Sequence, residues 1–332
     1  MENLLLAWKN FKSQKSNKKD VQIWQRNLVE NLFELNVTLK SKTYRHSGYH
    51  AFKISDPKPR DIHKASVSDR VLHHAIYQKM YFFLDSKFIS DSYSCRINKG
   101  THKAIDRFRH FAGKVSKNNT KTCWVLKCDI RKFFANIDHQ ILKNILKKHI
   151  EDQDTLLLLS NVIDSFCSNP IGLSYGVNSI SDMADMQKVG LPLGNLTSQL
   201  LVNVYMNEFD QFMKHKLKTK YYVRYADDFA IFSENKEYLE ETLRYIEVFL
   251  RDELKLNLHP DKVFIKTYAS GVDFLGWVNF PNHKVLRTTT KRRMFRNIAK
   301  TKNEASLESY KGMLNHGNGY NLQKRLIKMS EK

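Results

Sequence analysis

Two adjacent acids stand between aromatic residues in Tyr225-Ala226-Asp227-Asp228-Phe229. Neighbouring carboxylates repel, and apolar surroundings make ionisation of either one costly. A divalent cation reverses that penalty, because its charge becomes the dominant local term. Asp129 lies far upstream, just after the apolar run Cys123-Trp124-Val125-Leu126. On adjacent strands the three acids would offer the hard oxygen ligands that Mg²⁺ prefers, with substrate phosphates completing its shell. Two such ions about 3.5–4 Å apart stabilise both attacking and leaving oxygens in phosphoryl transfer. Acid doublets are also ordinary residues of solvated turns, and the aromatic flanks argue against that reading here.

The elements that must position these acids are short strands among helices. Tyr221–Tyr225 and Phe229–Phe232 read as a hairpin with the acids at its tip, and Cys123–Leu126 as a strand running to Asp129. Residues 1–40 read as helical, with Leu28, Leu32 and Leu35 on one face, and 44–62 as strands and turns containing Lys58-Pro59-Arg60. An apolar-periodic helix is expected to about Leu84, capped by Ser68 or Asp69. Gly113–Lys121 reads as a loop. Asp138 can cap a helix over 141–150, and 156–166 is a further helix. From Asn195 a helix should carry Leu196, Leu200, Val204 and Tyr205 on one face. Leu239, Leu243, Ile246 and Leu250 mark another. Val263–Ile265 and Val272–Val278 read as two late strands, and the last 45 residues as basic helix.

The chain has 332 residues with 42% apolar and 12% aromatic content, which excludes general disorder. Its net charge of +21 argues for a polyanionic partner, since counterion release from nucleic acid gives sequence-independent affinity. A ribosome-associated protein or a binder of anionic membranes would share that charge. Cys95, Cys123, Cys128 and Cys167 form no CxxC pair and no metal spacing, so free thiols in a reducing cytoplasm are expected. No run approaches the roughly 20 apolar residues of a membrane span, and the N-terminal apolar run is too short for a signal peptide. A soluble, cytoplasmic protein follows from this reading.

Several segments together carry a family resemblance. Tyr225-Ala226-Asp227-Asp228 resembles the metal-binding hairpin of reverse transcriptases. The segment Asp129-Ile130-Arg131-Lys132-Phe133-Phe134-Ala135-Asn136-Ile137-Asp138 is similar to the first metal motif of the group II intron-like branch. Gly190-Leu191-Pro192-Leu193-Gly194-Asn195-Leu196-Thr197-Ser198-Gln199 occupies the second palm motif, Lys262 the lysine motif, and Phe274-Leu275-Gly276-Trp277 the primer grip. Order and spacing agree over about residues 44–280. Leu193 stands where intron enzymes usually have Gln, and Ser198-Gln199 where they have Ser-Pro. In this the chain resembles reverse transcriptases of diversity-generating retroelements, as do Arg60-Asp61-Ile62, Asp69-Arg70-Val71, His73-His74-Ala75, Gly100–Ala104 and Ser309–His316.

The resemblance implies an α+β right-hand polymerase fold. Its parts would be fingers with N-terminal helices over 1–122, a palm of antiparallel sheet plus helices over 123–280 (with interleaved helices in 139–190), and a short basic thumb over 281–332. It implies two Mg²⁺ ions, with Mn²⁺ as the substitute, held by Asp129, Asp227, Asp228 and the Ile130 carbonyl, Asp228 being the weaker partner. Phe134 matches the bulky position beneath the incoming sugar, with core packing as the alternative. Arg60 and Arg70 match triphosphate-binding positions, although a helix-terminal ion pair would equally occupy Arg70. Lys262 would protonate or neutralise the pyrophosphate, or be a solvated loop lysine. Gly190, Gly194, Ser198 and Gln199 would shape the surface under the nucleotide, and His73 and His74 are read as structural or partner-facing. Lys291, Arg292, Arg293, Arg296, Lys300 and Lys302 would meet the nucleic-acid backbone. The partners implied are template RNA, cDNA or primer, dNTPs and a small basic accessory protein, with no membrane. The function implied is copying of a template-repeat RNA into adenine-mutagenised cDNA. A stand-alone group II-like or phage-defence enzyme, and an RNA-binding splicing-type scaffold, are the alternatives.

Overall fold

Helices α1 (Glu2–Lys12), α2 (Lys19–Arg26) and α3 (Leu28–Lys40) precede the hairpin of β1 (His50–Ile54) and β2 (Arg60–Lys64). Helices α4 (Val67–Asp85) and α5 (Thr101–Val115) lead to β3 (Trp124–Asp129). Then come α6 (His139–Lys147), α7 (Gln153–Asp164), α8 (Leu196–Gln211), β4 (Tyr222–Tyr225), β5 (Asp228–Ser233), α9 (Lys236–Leu254) and β6 (Phe264–Thr267). Strands β7 (Val272–Phe274), β8 (Trp277–Asn279) and β9 (Lys284–Leu286) are followed by α10 (Thr288–Thr301), α11 (Glu304–Leu314) and α12 (Tyr320–Ser330). The structure is a computed structural model and describes residues 1–55, 59–168, 188–301 and 303–330. Lys58 and Lys302 lie outside the described residues.

The elements group into two compact units, each built from discontinuous segments. One comprises Met1–Ile89, Lys132–Gln211 and Phe249–Asn257; the other comprises Ser90–Arg131, Phe212–Val248 and Leu258–Lys332.

In the first unit, Leu4, Ala7, Trp8 and Phe11 recur at helical spacing and bury the inner face of α1, which packs on α4. Leu32 and Leu35 are buried in α3 as the spacing predicts, while Leu28 is half-buried. Helix α4 starts earlier than expected. Ser66 is its cap, accepting from the Asp69 backbone N–H, and the Asp69 carboxylate receives the hydroxyls of Ser66 and Tyr44. Helix α8 departs from the one-face reading, being buried almost all round against α4 and α6, Asn203, Asn207 and Asp210 included. Tyr205 on it donates to the Leu254 carbonyl at 2.6 Å. The predicted Asp138 cap is present, accepting from the Ile141 N–H at 2.9 Å.

A buried polar chain runs through the same unit. Thr197 Oγ1 lies 3.2 Å from His73 Nδ1, and His73 Nε2 lies 3.1 Å from His46 Nε2. Burial foremost, then the His46 ring, lowers His73 to about 3, and burial with Lys15 and Arg70 nearby lowers His74 to about 4. The unfolded chain would take up these protons near about pH 6.5. Stability is therefore full above that pH and falls as pH drops toward the folded-state values. Urea midpoints measured across this window should fall with acid, and His73→Gln should shallow the slope. An unchanged slope would show that His73 charges in the folded state.

The second unit holds a four-stranded antiparallel sheet in the order β4-β5-β3-β6 and a three-stranded sheet in the order β7-β8-β9. Phe108 of α5 joins their cores, edge-on to Phe232 at 4.8 Å and stacked on Phe274 at 4.9 Å. Helix α5 extends into the segment expected to be a loop and ends at Val115. Val272–Val278 is a hairpin rather than one strand. Leu275 (φ +52°) and Gly276 (φ +87°) make a turn with both central residues left-handed, as two-residue hairpin loops of type I′ require. Met294, Ile298, Leu314 and Leu326 from the terminal helices close this core with Trp277.

Candidate active site

Strands β3 and β5 are neighbours, and their register sets Asp129 directly opposite Asp228. Residues opposite one another in a sheet share a face, so the two acids meet because the apolar strands behind them pair. Asp228 is the first residue of β5 rather than part of the tip. Tyr225 pairs with Asp228, leaving Ala226 and Asp227 as the two-residue turn. Ala226 has φ +55°, a conformation that costs a residue with a Cβ about 1–2 kcal/mol. Surrounding bonds hold it there. Arg224, fully buried, donates from Nη1 to the Ala226 carbonyl at 3.1 Å, and Ile130 N–H donates to the Asp227 carbonyl at 3.1 Å. On the other side His259 N–H donates to the Asp129 carbonyl at 2.8 Å.

Two lysines serve the acids. Lys262, in the turn Pro260–Lys262, donates from Nζ to Asp129 Oδ1 at 2.8 Å while its side chain stays partly exposed. Lys127 Nζ lies 2.7 Å from Asp228 Oδ1. Sequence reasoning misses Lys127, although its signal is present: a lysine two residues before Asp129 in an apolar strand shares the face of Asp129. Burial raises the Asp227 carboxyl above the usual carboxylate range, with the charge of Asp129 adding to it. Burial likewise pushes Asp228 up to about 7, against the pull of Lys127.

Three carboxylates thus face two ammonium groups, a donor set of hard oxygens short of positive charge that suits Mg²⁺. Among the described residues no group of three or more His, Cys, Asp or Glu side chains is already arranged around a metal position. Lysine nitrogens stand against Asp129 and Asp228 instead. Phe274 and Trp277 are core residues, and only the Leu275-Gly276 tip between them is partly exposed. On α10 the basic residues are sorted by face: Arg292, Arg296 and Lys300 are exposed at four-residue spacing, while Lys291 and Arg293 are half-buried beside the buried Met294.

The other motif residues belong to the first unit. Phe133 is buried and Phe134 half-buried, their rings edge-on at 5.7 Å, so Phe133 takes the core position. Leu191 N–H donates to the Phe134 carbonyl at 2.8 Å, and Gly190 N–H to the Ile137 carbonyl at 2.7 Å. These bonds lay the Gly190–Gln199 segment beside the Phe134 turn. Gly190 has φ +102°, and a Cβ there would stand 1.8 Å from Ser168 Oγ. Gly194, also left-handed, is exposed, whereas Ser198 is buried and Gln199 half-buried at the start of α8. The Leu193 carbonyl accepts from His63 N–H at 3.1 Å, and Asn195 Nδ2 donates to the His63 carbonyl at 3.2 Å, fastening β2 to this motif. Arg60 is exposed at the start of β2. Arg70 is paired with Asp20 on α2 and lies over the Phe11 ring, a partner 50 residues away that local spacing does not reveal. A cavity of about 740 Å³, lined by Tyr44, Arg45, His46 and Asn161 among others, includes none of the motif residues.

The family described as reverse transcriptase (RNA-dependent DNA polymerase) matches residues 53–278. Among curated proteins, Protein YkfC of Escherichia coli (strain K12) is 24% identical over 71% of this chain, and the match spans 66% of YkfC. The group II intron-encoded protein LtrA of Lactococcus lactis subsp. cremoris is 22% identical over 68% of this chain, which spans 45% of LtrA. Both relatives therefore extend beyond the matched part by a third of their length or more. Telomerase from Candida Tropicalis, solved in complex with a TWJ fragment of telomeric RNA, is 12% identical with a TM-score of 0.53, covering 90% of this chain and 56% of telomerase. That likeness shows the right-hand polymerase fold, with its antiparallel sheet and helices. With a family match over more than half its length, carrying the paired acids at residues 129 and 227–228, the chain belongs to the reverse transcriptase (RNA-dependent DNA polymerase) family.

Proposed function

We propose that this chain is the RNA-directed DNA polymerase of a diversity-generating retroelement, copying a template-repeat RNA into cDNA with errors concentrated at template adenines. The observation that supports polymerisation most directly is the register that sets Asp129 against Asp228 beside the Asp227 turn. Asp129 and Asp227, with the Ile130 carbonyl and more weakly Asp228, would hold two Mg²⁺ ions, or Mn²⁺ in their place. Bound there, the ions would stabilise the attacking 3′-oxygen and the pyrophosphate oxygens. Lys262, placed at 2.8 Å from Asp129, would neutralise or protonate the leaving group. Phe134 would exclude a ribose 2′-hydroxyl, with Arg60, Arg70, Gly194, Ser198 and Gln199 around the nucleotide; Arg70 would have to leave Asp20 to serve there. The Leu275-Gly276 tip would touch the primer strand, and Arg292 and Arg296 with Lys291 and Arg293 the nucleic-acid backbone.

On this reading residues 1–122 serve as fingers, 123–280 as palm and 281–332 as thumb. Template RNA, the primer or cDNA strand, dNTPs and a small basic accessory protein are the partners, in the cytoplasm. The free cysteines accord with a reducing compartment. No helix among the described residues is long and apolar enough to cross a membrane. The likeness to LtrA favours one alternative, a stand-alone group II-like or phage-defence reverse transcriptase. A template and variable repeat pair beside the gene would separate the two. The RNA-binding scaffold reading is opposed by the retained acids.

Leu193 gives the retroelement reading its biochemical test. An apolar side chain stands where an amide could contact the nascent pair, and each 1.4 kcal/mol of lost discrimination is about tenfold in errors. Sequenced cDNA made on one RNA, with any accessory protein supplied, should show adenine errors well above those at other bases, and Leu193→Gln should reduce them about tenfold. Equal errors at all four bases would remove the retroelement reading. Raised errors that Leu193→Gln leaves unchanged would remove only the role of Leu193.

A further inference from the structure

A second basic surface lies at the opposite end of the sheet from the acids. Lys114 and Lys117, at and after the end of α5, and Lys218 and Lys220, before β4, converge on a cleft of about 480 Å³. All four are exposed, and none of them forms an ion pair among the described residues. The acid lining the cleft, Glu234, is engaged by Lys121 at 3.1 Å. The cleft is also aromatic. Tyr221 rests edge-on against Phe111 at 5.5 Å, with Lys220 Nζ 5.4 Å from its ring centre. Tyr238, 37% exposed, opens α9, where Asn235 Oδ1 accepts its backbone N–H at 2.8 Å.

Uncompensated ammonium groups attract phosphates, and ring faces at the same place accept unpaired bases. A membrane surface or an acidic peptide would use the cations and leave the rings idle. A duplex keeps its bases stacked within itself, so the combination suits a single strand. Ser233, at the cleft, is separated from Asp228 by the length of β5, about 17 Å of extended strand at 3.4 Å per residue. We propose that this cleft is a second docking site for single-stranded RNA, holding unpaired template away from the carboxylates. The proposal rests on the polymerase reading for the identity of the strand, and on the cleft itself for the binding chemistry.

The test uses the full chain and two labelled probes: an RNA–DNA hybrid with a long unpaired RNA template overhang, and the same hybrid made blunt. Lys218→Gln/Lys220→Gln should weaken the overhang probe about tenfold and lower its logarithmic salt slope by about 1.4, the two-phosphate value for a single strand. The blunt probe should bind as it does to the unsubstituted chain. Tyr238→Leu should weaken the overhang probe about tenfold with the salt slope unchanged, because it removes stacking rather than charge. Lys18→Gln/Lys19→Gln, which removes the same charge from the N-terminal helices, should leave both probes unaffected. Unchanged overhang binding in the cleft variants, equal weakening of the blunt probe, or equal weakening by the control pair would each overturn the proposal. Primer extension by the unsubstituted chain is measured in parallel. Its failure would count against the polymerase reading, while the binding comparison would still decide the cleft.

Discussion

Asp227→Asn is expected to abolish Mg²⁺-dependent dNTP incorporation on an RNA template while leaving RNA binding and folding intact. On the two-metal reading the lost ligand would contribute several kcal/mol to transition-state stabilisation, on the order of a thousandfold or more in rate. Binding should survive because the exposed lysines and arginines that would meet phosphates on this reading are untouched. Folding should survive for a reason specific to this site. Burial and Asp129 raise the Asp227 carboxyl, so the fold disfavours its charge, and a neutral amide relieves that cost. The thermal midpoint should therefore hold or rise while extension vanishes. Undiminished primer extension by the folded variant would remove the two-metal assignment.

The second large effect concerns the sugar. Phe134→Ala or Phe134→Val is expected to lower the preference for dNTP over NTP, read as the ratio of their kcat/KM values. Loss of a steric contact of this size changes discrimination by about 1–3 kcal/mol, or roughly 10–200-fold. Phe133 rather than Phe134 fills the core position of the short Phe133–Asn136 turn, so truncation at 134 removes a half-buried ring and leaves the packing largely in place. An unchanged ratio in a folded, active variant would assign the Phe134 ring to packing against Phe133.

What the sequence made legible were features set by short-range pattern. The acids between aromatic residues announced a hairpin, and the apolar run before Asp129 a strand, because alternation and turn chemistry are local. The β7–β8 hairpin was hidden because Phe274, Leu275 and Trp277 are all apolar and the turn places a leucine in the left-handed region. The α4 cap lies two or three residues before the expected one because Ser66, Ser68 and Asp69 all have capping chemistry, and the hydrogen bonds from the Ser66 hydroxyl and the Asp69 backbone N–H decide among them. Lys127 with Asp228, and Arg70 with Asp20, are pairs made by tertiary structure across long separations, and no window of sequence contains both members.

The interleaving of the two units has a consequence for biosynthesis. The first unit takes its last segment from Phe249–Asn257, and β6 of the central sheet comes from Phe264–Thr267. At about 5–20 residues per second a ribosome needs roughly 13–50 s to deliver residue 257. Until then α8 waits for the Leu254 carbonyl that its Tyr205 hydroxyl will reach, and β3 is exposed along the edge β6 will cover. A nascent chain in this interval carries buried-type surface and an open strand edge, the conditions under which chaperone capture or misassembly competes with folding. For the same reason no single cut separates the two units from one another. Any fragment that keeps one unit whole also carries segments of the other without their partners, so a gene divided once would be expected to recover the complete structure only when both pieces are produced together.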